Sequence, residues 1–348
     1  MSRLIASNWF LLALVVCYAG GHFAADRLRP VVEQAWLRSC VLVAVMWAMG
    51  VTLNASQIVK SVQKPTASLL AIGCNLFLVP VCCAISMGWL SASIGGSLGR
   101  ELAGGLFVAG LVPCTLASAS VWTRKAGGDD SVSMICTVVT NVGCLLVVPV
   151  GIHLVLAMQT KLSPVAQMEK LAWFVVLPLV IAQLMRRFGA GPWADRNKSA
   201  LSKLAQIGIL AMVVFGAVAG QSIAANGSVE STGAESGQGR GVGWWPILAV
   251  IIAASGVHLF VFAAGWMLAR ALKRPREEQI AVGIAGSQKT LMVGLQIAID
   301  CGVSVLPMMI YHAGQLIIDT FIVNRWKRLV PEPRENIQEL KDNQSVSA

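Results

Sequence analysis

The chain has 348 residues, 56% of them apolar and only 13% charged, with a mean hydropathy of +0.69. A soluble domain carries about 25% charged residues, so this balance excludes an ordinary soluble globule, a disordered chain and a disulfide scaffold. The net charge of +10 sits in short loops between apolar runs, which reads as a set of topology determinants and not as a nucleic-acid surface.

Charge-free runs cover 4–25, 39–59, 65–99, 102–123, 131–160, 204–229 and 241–269. A bilayer-spanning helix needs about 20 such residues, so the expected class is an all-α polytopic membrane protein. Barrel strands would instead alternate every second residue over about 10 positions. In chain order, ten spans are predicted: 7–25, 33–54, 66–90, 102–123, 131–157, 167–186, 202–223, 244–269, 278–299 and 303–324. Arg3 precedes an apolar stretch without a small-residue cleavage site, so the first run reads as a span and not as a signal peptide. Segment 224–243 is a Gly/Ser-rich connector, and 331–348 is a polar tail.

Cytoplasmic loops carry the excess of Lys and Arg. Nineteen of the 27 fall at the termini and in the loops after spans 2, 4, 6 and 8; seven fall in the other loops, and Lys289 lies inside span 9. Both termini are therefore expected in the cytoplasm, with 224–243 outside and the protein in the cell (inner) membrane. Ten spans split into halves of five, 1–160 and 161–330. An odd span number per half forces the second half to insert upside down, the inverted repeat of many secondary transporters. Span 4 breaks its apolar pattern at Val112–Ala119 and span 9 at Gly286–Leu291. Pro113 and Gly286 are 173 residues apart, and Asn141 and Gln315 are 174 apart. Matched interruptions in two halves point to a transport site.

The candidate binding residues for substrate or ion are Pro113, Thr115 and Ser118 in span 4, Thr137 and Asn141 in span 5, Ser287, Gln288, Lys289 and Thr290 in span 9, and His312 and Gln315 in span 10. Pro113 lacks an N–H and disfavours helix before it, so the chain there should unwind and free carbonyls for a cation. Thr137 and Asn141 share a helix face, and their hydroxyl and amide oxygens suit Na⁺. Lys289 is the one charge near the middle of a span and must face a polar interior, pair with an anion or lose its proton. His312, Gln315 and Asp319 share a face of span 10. Asp319 is one candidate partner for Lys289, although it is expected nearer the hydrated cytoplasmic end. His153 and His258 read as structural histidines. Asp129, Asp130, Glu277 and Glu278 read as solvated loop caps. The tryptophans, among them Trp9, Trp36, Trp89, Trp173 and Trp244, fall largely near span ends as an interfacial belt.

No phosphate-binding glycine loop and no His-Glu-x-x-His is present, so an enzyme is not expected. The nine cysteines lie mostly in apolar runs without paired CxxC units, so neither a metal site nor a disulfide framework is expected. No cofactor is expected, and the expected partners are the bilayer and a small organic anion.

Gly105–Pro149, Gly286–Gly294 (GSQKTLMVG), Leu306–Leu316 (LPMMIYHAGQL) and Asn8–Leu14 (NWFLLAL) resemble the bile acid:sodium symporter family, in its bile-acid-symporter-like branch. The resemblance covers roughly 7–328. It implies a panel of spans 1, 2, 6 and 7, a core of spans 3, 4, 5, 8, 9 and 10, and broken spans 4 and 9 crossing near the midplane. It implies a symporter that rocks core against panel, with Na⁺ carried around the crossing in members that take up bile acids. Thr115, Ser118 and Ala119 would lie at the crossing from span 4, Thr137 and Asn141 from span 5, and Gln288 from span 9. The chain departs from that pattern at two positions. Ile284 stands where sodium-coupled members carry glutamate, and Lys289 stands where a neighbouring asparagine is usual. Coupling to Na⁺ or to H⁺ both stay open. A non-transporting regulatory role, as in calcium homeostasis, is the other function the resemblance allows.

Overall fold

The computed structural model describes residues 2–53, 64–116, 118–156, 163–227 and 243–329. Most of the connector at 224–243 and the tail at 331–348 lie outside them. Among the described residues the chain is helical with no strand. The elements are α1 (Ser2–Phe23), α2 (Ala25–Val32), α3 (Ala35–Thr52), α4 (Pro65–Ile94), α5 (Gly96–Leu111), α6 (Ser118–Lys125), α7 (Asp130–Leu156), α8 (Pro164–Arg196), α9 (Lys198–Gly227), α10 (Trp244–Ala271), α11 (Arg276–Ser287), α12 (Leu291–Cys301) and α13 (Leu306–Leu329).

Seven of these are long and apolar enough to cross a membrane: α3, α4, α7, α8, α9, α10 and α13. The predicted fourth and ninth spans fall short of that because each is broken. Helix α5 stops at Leu111 and α6 starts at Ser118; α11 stops at Ser287 and α12 starts at Leu291. Both interruptions coincide with the predicted ones. Local chemistry explains several other ends. Pro65 opens α4, where its missing N–H costs nothing. Gly95 and Gly96, at φ 73° and 62°, allow α4 and α5 to be joined without a loop. Gly302, at φ 66°, closes α12 in the left-handed region. Gly189, at φ 109°, bends the end of α8.

Helices α1, α3, α8 and α9 pack on one another, and α4, α5, α6, α7, α10, α11 and α13 form a second packed set. Helix α12 bridges the two sets, touching α9 and α3 of the first and α5 and α13 of the second, while the start of α8 touches α7. The middle of the molecule is made by the broken helices themselves. Leu102–Leu111 and Ile280–Ala298 are buried throughout. The outward faces stay apolar, with Val15, Phe77, Ile85, Leu146, Leu154 and Phe260 exposed, as a surface in contact with lipid requires.

Close approach at the centre depends on glycine. A Cβ at Gly105 would lie 2.1 Å from the backbone oxygen of Ser304, whose N–H reaches the Glu101 carbonyl at 3.4 Å.

The loop carboxylates are not simply solvated. Asp129 pairs with Lys64, accepts from the Ser131 N–H (3.0 Å) and hydroxyl (2.6 Å), and donates its own N–H to the Glu277 carbonyl at 2.9 Å. Glu278 is 3% exposed and binds the Arg274 guanidinium at 2.7 and 3.2 Å. Asp129 caps the start of α7 through the Ser131 N–H, and Asp130 in the first turn of that helix binds Arg124 at 2.8 and 2.5 Å. Lys170 on α8 reaches Asp300 on α12 at 2.5 Å.

Two outcomes follow from this packing. Gly105→Ala should lower unfolding free energy by about 1–3 kcal/mol through overpacking, whereas Gly88→Ala, with open space around it, should leave the melting temperature unchanged. Burial raises the Asp129 carboxyl, but Lys64 and Ser131 outweigh it and hold the group below its usual value. A depressed carboxylate stabilises the fold above its unfolded value of about 3.9 and loses that contribution as pH falls through the folded value. Asp129→Asn should therefore lower the melting temperature at pH 7, and its difference from wild type should shrink below about pH 4.

Candidate functional site: a buried ammonium between two helix breaks

Inside a membrane every backbone polar group needs a protein partner, so each break raises the question of what satisfies its carbonyls. At the first break, Val112 and Leu111 end the helix and Pro113 supplies no N–H. The Val112 carbonyl accepts from Lys289 Nζ at 2.9 Å. The Pro113 carbonyl accepts from the Thr290 N–H at 2.9 Å, a backbone bond that joins the two breaks directly. The Cys114 N–H goes to Thr140 Oγ1 (3.1 Å) and its carbonyl takes Asn141 Nδ2 (3.1 Å). The Thr115 carbonyl takes Thr137 Oγ1 at 3.1 Å. Thr115 Oγ1 in turn accepts the Ala119 N–H at 2.9 Å and so caps α6.

The second break is held from α13, α10 and α4. Gln315 pairs with both backbone groups of Lys289: Oε1 accepts its N–H at 2.8 Å and Nε2 donates to its carbonyl at 2.9 Å. His312 Nδ1 lies 3.2 Å from that carbonyl and 2.9 Å from Gln315 Nε2. The Ser287 carbonyl faces Tyr311 Oη (3.0 Å) and His258 Nδ1 (3.3 Å), and the Ser287 hydroxyl folds back onto Gly283. Asn75 Nδ2 donates to the Ala285 (3.1 Å) and Gln288 (2.9 Å) carbonyls.

Lys289 sits where these elements meet, with its side chain 0% exposed. Its Nζ has three acceptors: the Asn75 carbonyl (2.6 Å), Asn75 Oδ1 (3.1 Å) and the Val112 carbonyl (2.9 Å). Three acceptors demand three N–H donors, which makes the group an ammonium. The Asn75 carbonyl is free for a local reason. Residues 74–78 form a π-helical turn in which the Val79 N–H bonds to the Cys74 carbonyl, and Pro80 has no N–H to offer. Among the described residues no carboxylate lies within 4 Å of Lys289, so the Lys289–Asp319 pair considered from sequence does not form.

Asp319 is instead fully buried, against the hydrated position expected from its place in span 10. It binds His258 Nε2 through Oδ1 (3.2 Å) and Gln288 Nε2 through Oδ2 (2.5 Å). Gln288 Oε1 faces the Thr115 and Ser118 hydroxyls, each at 3.0 Å, and those hydroxyls are 2.6 Å apart. The candidate residues of spans 4, 5, 9 and 10 thus converge on one network. Sequence reasoning missed Asn75, Thr140 and the pairing of His258 with Asp319. Asn75 did leave a signal, as a lone amide in an apolar run five residues before a proline. Asn141 Oδ1 is buried without a partner. His153 is exposed on α7, away from the network.

A model of the SBF-like CPA transporter family matches residues 8–328. The chain belongs to this family. Similar proteins include one named "Putative symporter YfeH" from Escherichia coli, 26% identical over 63% of each chain. Another is named "Probable sodium/metabolite cotransporter BASS4, chloroplastic" from Arabidopsis thaliana, 26% identical over 93% of this chain and 73% of that one. A third is named "Sodium/bile acid cotransporter 7" from rat, 23% identical over 61% of this chain and 62% of that one. In this member of the SBF-like CPA transporter family the Lys289 ammonium is held by oxygens of Asn75 and Val112.

The cage makes a stability prediction. Asn75→Leu removes one ammonium acceptor and two carbonyl donors, and should lower unfolding free energy by about 3–5 kcal/mol, as breaking a buried charge contact does. Adding Lys289→Met should recover part of that loss, because an uncompensated charge is then no longer buried. Equal thermal stability of wild type and Asn75→Leu in detergent would contradict the clamp.

Proposed function

We propose that the chain is a secondary transporter that moves a small organic anion by alternating access, with Lys289 as a fixed positive charge in place of a bound coupling cation. The observation that carries this reading is the wholly buried Lys289 ammonium in a three-oxygen cage between two helix breaks. Its three donors are all engaged, so it acts as a bound cation would and does not itself grip the substrate.

The rest of the architecture follows the same reading. Helix α2 lies between spans, and the remaining elements supply ten: α1, α3, α4, α5 with α6, α7, and then α8, α9, α10, α11 with α12, α13. The break comes fourth in each group of five, which supports two inverted repeats over 1–160 and 161–330. The two packed sets of helices supply a panel and a core to rock against one another. The Lys/Arg bias supports cytoplasmic termini, with 331–348 as a tail, in the cell membrane. Transport, and not catalysis or regulation, is the role this arrangement serves.

Asn141 Oδ1 is one buried oxygen at the crossing without a donor, but the groups around it do not complete a Na⁺ shell. Ile284 and Ala119 offer no side-chain oxygen, and both are buried. The carbonyls of Val112, Pro113, Cys114, Thr115, Ser287, Gln288 and Lys289 all have protein donors. A fixed ammonium repels a second cation strongly where the dielectric is low. Coupling in this reading therefore belongs to a proton.

The test titrates Na⁺ against K⁺ at fixed ionic strength and reads the melting temperature in detergent. A ligand at 100 times its Kd stabilises by about 2.7 kcal/mol. Wild type should melt at the same temperature in both salts. A saturable Na⁺-specific rise would overturn the fixed-charge reading. In proteoliposomes, Lys289→Ala should abolish uptake of an organic anion that wild type accumulates, and normal uptake would refute its role.

A further inference from the structure

The His258–Asp319 pair is a buried ionisable contact that the fixed-charge reading leaves without a task. His258 comes from α10 and Asp319 from α13, and both side chains are fully buried. Hydrogen-bond roles decide how many protons the pair holds. A backbone carbonyl only accepts, so His258 Nδ1, which faces the Ser287 carbonyl at 3.3 Å, carries a hydrogen. Asp319 Oδ2 accepts from Gln288 Nε2, which leaves Gln288 Oε1 to accept from the Thr115 and Ser118 hydroxyls. What remains is the contact between His258 Nε2 and Asp319 Oδ1 at 3.2 Å. With no proton there, a lone pair meets a carboxylate; with two, two hydrogens collide. One proton satisfies it, on either atom.

We propose that His258 and Asp319 form a proton-binding site, which holds one shared proton in this conformation and reports its occupancy to the span 4 break through Gln288. This deepens the transport reading above and rests on it, by naming the site at which a coupling proton is held. The relay is short. Losing the proton turns Nε2 and Oδ1 into two opposed acceptors, which pushes the carboxylate from the imidazole. Gln288 moves with the carboxylate because they share a 2.5 Å bond. Thr115 and Ser118, which flank the start of α6, lose the Gln288 oxygen in turn. The proton leaves as hydronium, and no other covalent bond changes.

The other ionisable groups around the pair are engaged elsewhere. Tyr311, on the same helix as Asp319, packs edge-on against His258 (6.2 Å between rings) and donates to the Ser287 carbonyl. Cys82 and Cys83 on α4 lie within electrostatic range of Tyr311. Lys289, in the α11–α12 break, is held by Asn75 and Val112, and His312 is turned to the Lys289 carbonyl. On α6 the cations are Arg124 and Lys125 at its exposed last turn, and α11 carries Glu278, bound to Arg274, at its first turn.

The experiment is a potentiometric difference titration of the full-length protein in detergent, joined to hydrogen–deuterium exchange. In Asp319→Asn the new amide can donate to Nε2 and accept from Gln288, so it mimics the proton-loaded pair permanently. Across the pH range in which both proteins stay folded, wild type should release one more proton per molecule than Asp319→Asn. Peptides covering 113–123 should exchange alike in the two proteins at the acid end of that range and faster in wild type at its alkaline end, a comparison at equal pH that cancels intrinsic exchange. His258→Gln is the second variant: it donates to a permanent carboxylate, and should also release one proton fewer than wild type. Equal proton release in wild type and both variants overturns the site. A proton difference with identical exchange overturns the relay. Neither readout involves a substrate, so these failures differ from failure of the transport reading, which the Lys289→Ala uptake assay detects.

Discussion

The protein's centre depends on one charged contact, the Lys289 ammonium shared between the Asn75 carbonyl, the Asn75 side chain and the Val112 carbonyl. Both carbonyls are available because a proline nearby interrupts the regular helical ladder. Pro80 denies Asn75 its helical partner, and Pro113 ends the helix after Val112. Orphaned carbonyls in a water-free interior are costly, and a lone ammonium there is more so. Each defect is the remedy for the other. This is why α4, α5 and the α11–α12 break form a unit: separating any of them leaves either a bare charge or a bare carbonyl.

The same logic extends to the neutral groups of the breaks. Amide side chains do what backbone would do in an intact helix. Gln315 closes a two-point pair with Lys289, and Asn141 with Thr140 does the equivalent for Cys114. Among the described residues one bond between the breaks is backbone to backbone, from Thr290 to Pro113. A junction held by side chains can exchange partners by rotamer changes, whereas a helical ladder must be broken cooperatively. The placement of irregular backbone in the middle of the bundle, shielded from lipid by α4, α7, α10 and α13, keeps that freedom compatible with the membrane.

How much of this the sequence revealed depends on the range over which each force acts. Helix interruptions are local: Pro113 and the polar run 286–291 mark the two breaks to within a residue or two. Lys289, Gln288 and Gln315 stand out because polar groups are scarce in apolar runs. Their partners are a matter of depth and azimuth, which spacing along one helix does not encode. Opposite charge made Asp319 look like a partner for Lys289, yet Asp319 joins His258 and Lys289 joins carbonyls, because a neutral oxygen can hold an ammonium as well as an acid can. Carbonyls are invisible in a sequence except through the prolines that free them, and Asn75 became significant only with Pro80. The buried Glu278 was misread for a similar reason, since a loop charge beside Arg274 looks the same whether or not a neighbouring helix covers it.

The charge inside the bundle links the two readings. Lys289 contributes +1, fixed by its three acceptors. The His258–Asp319 pair is neutral overall with its shared proton, whether as two neutral groups or as imidazolium and carboxylate, and −1 without it. The interior therefore carries +1 when loaded and 0 when empty. A monoanion entering the loaded bundle is balanced, and the same monoanion in the empty bundle is not. In a medium of low dielectric an unbalanced charge costs several kcal/mol, enough to make anion and proton enter and leave together. Here one cation is tethered as Lys289, so a single proton is left to set the sign of the difference.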